Sequence, residues 1–108
     1  LWCREDAPTA LEPYLKTIPA DKSVFFLTVP QVAARFESEN FYQYLKMSDR
    51  LKMGEENLER MQRGEFDFIF APQGAPEEIE KIPACYELSE NIAKVLVYKR
   101  NPALSCLR

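Results

Sequence analysis

Histidine is absent from this chain, glycine occurs only three times, and no run of apolar residues approaches the roughly 18 needed to span a bilayer. Each absence excludes a class of function. Without His there is no Ser-His or Cys-His nucleophile pair and no zinc site of the usual Cys/His kind. With so few glycines, no Gly-rich phosphate cradle follows any candidate strand, so a nucleotide site is not supported. The three cysteines, Cys3, Cys85 and Cys106, show no C-x-x-C spacing. Two readings stay open for them: small buried hydrophobes, or a disulfide joining Cys106 to Cys3 or Cys85 in an oxidising compartment. No metal and no cofactor is expected.

What is present describes one folded domain over residues 1–108. Hydrophobic residues make up 46% of the chain, with seven Phe and five Tyr, far from the composition of disorder. Acidic and basic residues are interspersed to a net charge of −3, which offers no footprint for nucleic acid. The sequence begins with Leu and lacks signal-peptide features, so it reads as a piece of a longer protein.

Two segments, "VFFLTVPQ" at Val24–Gln31 and "FDFIFAPQ" at Phe66–Gln73, repeat one pattern: an apolar run rich in β-formers closed by Pro-Gln. Ahead of the first, "TALEPYLKTIP" places Leu11, Leu15 and Ile18 at helical spacing, and Pro13 puts the helix start nearer Leu11 than Thr9. Between the two runs, Val32, Phe36, Tyr44, Leu45, Leu51, Leu58 and Met61 recur at three- and four-residue steps, predicting two helices broken around Met47–Gly54. Gly64 after "ERMQR" is the expected helix stop. A helical crossover makes the flanking strands parallel. Near the end, a helical turn at Glu77–Ile82 precedes "ACYELSEN" and "IAKVLVYKR", a hairpin with its turn at "SEN", and a surface tail follows. The expected fold is α/β: a small mixed sheet of about four strands, a parallel β-α-β unit plus a C-terminal antiparallel hairpin, packed with helices.

Candidate sites follow from that frame. The rim beyond the carboxyl ends of parallel strands is where ligands sit in open α/β sheets, and it would hold Pro30, Gln31, Pro72, Gln73 and Gly74. The plainer reading is that proline ends strands and Gln is merely solvated. Phe41, Tyr42 and Tyr44 form a candidate aromatic surface for sugars or bases, or else the core and rim of an amphipathic helix. The carboxylates, including Glu56, Glu59, Glu77, Glu78 and Glu80, suit a solvated helix surface with pairs such as Glu56–Arg60 and Glu59–Arg63. Asp67 stands apart because it interrupts an apolar strand.

Taken together, "LEPYLKTIPADKSVFFL", "ENFYQYLK", "ERMQRGEFDFIFAP" and "YELSENIAKVLVYKR" resemble the soluble domain that follows the last membrane helix in GT-C-class glycosyltransferases. The resemblance spans roughly Leu11–Arg100 and implies a C-terminal extracytoplasmic domain, periplasmic or extracellular, of a membrane enzyme that takes sugars from polyprenyl-phosphate donors. It implies as partners the membrane portion of the parent chain and, through it, a lipid-linked sugar or acceptor. Acidic catalytic residues of that class lie in the membrane portion, so none is carried over and the domain is expected to be a non-catalytic accessory. Trp2 would then be a juxtamembrane remnant. The alternative expectation is a free-standing small-ligand-binding or protein-interaction domain using the Pro-Gln rim.

Overall fold

The computed structural model describes residues 6–29, 32, 36, 39–46 and 52–106. Its centre is a six-stranded mixed sheet in the order β3-β2-β1-β4-β6-β5. The strands are β1 (Val24–Leu27), β2 (Phe41–Lys46), β3 (Lys52–Met53), β4 (Phe68–Pro72), β5 (Tyr86–Ile92) and β6 (Val95–Arg100). The helices are α1 (Asp6–Lys16), α2 (Glu55–Gln62) and α3 (Pro76–Ile79).

The two repeated apolar runs do lie side by side and parallel, with Val24 beside Phe68, Phe25 beside Ile69 and Phe26 beside Phe70. All four β1 residues are buried, as are Ile69, Phe70 and Ala71 of β4. Because side chains alternate across a strand, a pair of central strands buried on both faces feeds two cores. Val24, Phe26 and Phe70 meet Leu11 and Leu15 of α1 on one face. Phe25, Leu27 and Ile69 meet Met61 of α2 on the other. Each fully buried Phe contributes about 2–3 kcal/mol of transfer free energy.

The chain crosses the sheet once on each face. Val32 and Phe36, described residues of the β1–β2 connection, pack into the α1-side core, whereas Leu58 and Met61 of the passage back to β4 pack into the other. The helix α2 ends as its sequence indicates. Gly64 takes φ +78°, its N–H bonds the Met61 carbonyl at 2.9 Å, and the Glu65 N–H bonds the Arg60 carbonyl at 3.0 Å, the paired bonds of a Schellman motif.

Several expectations are corrected. The stretch "FYQYLK", expected to be helical, is β2, which pairs in parallel with β1 over Val24–Phe41 to Leu27–Tyr44. Aromatic spacing fits either period, and the open flank of β1, whose backbone groups need partners, decides for the strand. Adding β2 and the two-residue β3 brings the expected four or so strands to six. The hairpin turn is at Ala93–Lys94, not "SEN": β5 runs through those residues with an irregularity between Leu88 and Glu90. α1 starts at Asp6, so Pro13 lies within the helix. The tail is on the surface, as expected, with Pro102–Ser105 exposed, and it is tied down by contacts described below. The expected break over Met47–Gly54 falls largely outside the described residues.

Candidate functional site

The two ends of the parallel pair differ in character. At the amino end, side chains clamp the strands. Asp67 Oδ2 accepts the Ser23 N–H at 2.9 Å and Ser23 Oγ at 3.3 Å, so the acid that interrupts the apolar run joins the starts of β1 and β4. Tyr86 is buried beside them, accepting the Phe66 N–H at 3.1 Å and donating to the Phe66 carbonyl at 2.7 Å. Burial pushes its phenol up to about 12, with the bond to Phe66 opposing the shift.

Next to this clamp, Cys85 and Cys106 form a disulfide with Cα atoms 4.7 Å apart. It draws the tail back onto the domain. Arg100 completes the junction, donating from Nε to the Gly64 carbonyl at 3.3 Å and from Nη1 to the carbonyls of Asn101 at 2.5 Å and Leu104 at 3.1 Å. A Cβ at Gly64 would collide with Cys106 Sγ and lie 2.9 Å from Arg100 Nε, so glycine is required there twice, for φ and for space.

The carboxyl end carries strain instead. Among the described residues, the non-glycine residues with positive φ are Thr28 (+55°), Ala93 (+52°) and Lys94 (+67°), and all three sit at this end. Thr28 follows β1. Ala93 and Lys94 form the β5–β6 turn, whose Lys94 carbonyl accepts the Gln73 N–H at 3.0 Å just after β4. A β-branched residue at positive φ is a genuine outlier, and Thr28 Oγ1 is also buried without a hydrogen-bond partner among the described residues. The connection after β1 leaves toward the α1 face, whereas that after β4 leads to Ile79 and Ile82 on the opposite face. Adjacent parallel strands whose chains depart to opposite faces make a topological switch point.

The expected rim residues fall there in part. Pro72 closes β4, and Gln73 and Gly74 are exposed beyond it, with Gln73 Oε1 accepting from Asn91 Nδ2 at 3.4 Å. Pro30 and Gln31 lie outside the described residues. The three aromatics are divided: Phe41 joins the α1-side core, while Tyr42 and Tyr44 lie on the α2 face. Tyr44 is buried, and Tyr42 lies tilted against Phe66 with ring centres 5.1 Å apart and the Arg60 guanidinium 4.8 Å from the Tyr42 ring centre.

Arg63 and Arg60 converge on Glu65 at 2.7 and 3.0 Å, and these bonds, Arg63's first, hold its carboxyl below the usual range. Glu78, expected on the solvated surface, is buried and paired to Lys81 at 3.0 Å. Among the described residues, no group of three or more Cys, Asp or Glu is placed to hold a metal ion, and no helix is long and apolar enough to cross a membrane.

Sequence reasoning missed Thr28, whose backbone leaves no mark in the residue type. It also missed the part of Arg100 in the junction, where the only legible sign was Gly64. No family model, no curated protein and no solved structure matches this chain.

Proposed function

We propose that the chain is a non-catalytic, extracytoplasmic accessory domain of a GT-C-class membrane glycosyltransferase, where it positions the acceptor or stabilises the enzyme. The observation that carries this reading is the Cys85–Cys106 bridge. Disulfides persist in periplasmic and extracellular compartments and are reduced in the cytosol. The motifs from Leu11 to Arg100 supply the class.

The test uses the full parent chain in its native membrane. A Glu56→Cys variant, at an exposed position of α2, is expected to react with a membrane-impermeant maleimide on intact cells, and mass spectrometry is expected to find Cys85 linked to Cys106. Labelling only after permeabilisation, or reduced thiols at both positions, overturns the assignment. Deleting the domain is expected to lower transferase activity while leaving the catalytic loops in place.

A second reading, a small-ligand site at the carboxyl rim, is favoured by one observation: the strained residues and the unpartnered Thr28 hydroxyl gather at the switch point. A small molecule found by thermal-shift screening is expected to bind Gln73→Ala more weakly. Unchanged affinity of every hit removes this reading.

A further inference from the structure

We propose that Cys106 is a thiol-exchange site that accepts a small aminothiol as a mixed disulfide. The bridge is asymmetric. Cys85 is wholly buried, whereas Cys106 is partly exposed and lines a cavity of ≈ 570 Å³ with Gln62, Glu77, Glu80, Lys81 and Pro83. Of the two bridged residues, Cys106 alone borders that space, so an incoming thiolate meets its sulfur first.

The step is a simple exchange. The external thiol loses its proton to solvent, and its thiolate attacks Cys106 Sγ. The Cys85–Cys106 bond breaks, its electron pair stays on Cys85 Sγ, and a new S–S bond joins the aminothiol to Cys106. No other oxidant or reductant takes part. Arg100 Nε lies near both bridged sulfurs: a Cβ built on Gly64 would lie 2.9 Å from it and 3.4 Å from Cys85 Sγ, and would collide with Cys106 Sγ. A guanidinium so placed favours a thiolate leaving group. In the bridged form the Asn101 N–H bonds the Cys85 carbonyl at 2.8 Å and Arg100 holds the tail carbonyls, and these bonds do not run through the sulfurs, so opening the bridge is expected to leave the junction in place.

Charge selects the thiol. Glu77 and Glu80 line the cavity, and the ammonium of Lys81 is engaged by the Glu78 carboxylate at 3.0 Å and faces the Tyr44 ring at 5.5 Å. Among the described residues that line the opening, carboxylates outnumber ammonium groups, which favours a cationic reagent over an anionic one. This inference rests on the bridge and the cavity, independently of the transferase reading.

The experiment uses the oxidised chain with Cys3→Ser, so that only the bridged sulfurs report. Cysteamine, 2-mercaptoethanol and 2-mercaptoethanesulfonate are compared at equal thiolate concentration, with acid quenching, alkylation and peptide mass mapping. The expected product carries cysteamine on Cys106 and alkylated Cys85. Cysteamine is expected to react about 3-fold or more faster than the sulfonate at low salt, a ratio that falls at high salt and in the Glu77→Gln/Glu80→Gln variant. An adduct on Cys85, no adduct at all, or a rate that equals global unfolding for all three thiols overturns the proposal.

Discussion

Tyr86 and Phe66 are joined by two hydrogen bonds through one phenolic oxygen, which accepts the Phe66 N–H at 3.1 Å and donates to the Phe66 carbonyl at 2.7 Å. A single side chain thereby satisfies both backbone groups of the residue that leads into β4, at a depth where water cannot. With the Asp67–Ser23 bonds and the disulfide, it makes the amino end of the parallel pair the fixed end of the domain.

Alkaline pH should release that clamp. The folded Tyr86 phenol lies at about 12, above its ordinary 10, so its contribution is fully present below about pH 10 and is lost as pH rises through 12. The loss is on the order of 2 kcal/mol. Urea midpoints measured between pH 9 and 12 are expected to fall in the parent. In Tyr86→Phe the unfolding free energy should start lower by about 1–3 kcal/mol, the cost of two buried backbone groups left unpaired, and the midpoint should fall less over that range.

The β5–β6 turn invites stabilisation. Ala93 and Lys94 both adopt positive φ, which Asn-Gly accepts readily in a two-residue hairpin turn. The double variant Ala93→Asn/Lys94→Gly is expected to gain about 1 kcal/mol in chemical denaturation. A loss of stability would show that the Lys94 side chain contributes more than its backbone strain costs.

Thr28 makes the converse case. Its buried hydroxyl has no partner among the described residues, so Thr28→Val, of nearly the same shape, removes a desolvation penalty without losing a described bond. A gain of about 1 kcal/mol in thermal or urea unfolding is expected. If a ligand is later found at the rim, the same variant separates stability from binding.

At the opposite end, Gly64→Ala is expected to destabilise by about 2 kcal/mol or more, through positive φ and the collision with Cys106 Sγ. Much of that cost should vanish in the reduced protein, where Cys106 can move aside. Breaking the bridge by Cys85→Ala/Cys106→Ala is expected to cost about 3 kcal/mol for a pair 21 residues apart. Denaturation with and without reductant measures both.

Local chemistry made some of this architecture readable in advance. "VFFL" and "FIFA" are apolar at every position, as strands covered on both faces are, and the long passage between them permits the parallel alignment observed, although it holds β2 and β3 as well as helix. The end of α2 was equally legible, because Gly64 after a basic last turn has few other uses. Of the rim, Pro72, Gln73 and Gly74 were placed by the same logic, since their position depends only on where β4 stops.

The remainder depended on partners distant in sequence. Phe41, Tyr42 and Tyr44 satisfy a helical or a strand period, and only the unfilled edge of β1 beside them selects the strand. The cysteines permitted more than one pairing until the end of β6 and the start of β5 brought residues 85 and 106 together. The conformation of Thr28 is likewise imposed by the chain leaving β1 at a switch point. By itself the sequence set the class, the two buried strands and their relative direction, because burial and helix stops are local signals. Tertiary structure alone decided the third parallel strand, the disulfide and which end of the sheet bears strain, because each is a competition among contacts that exist only after the chain has closed on itself.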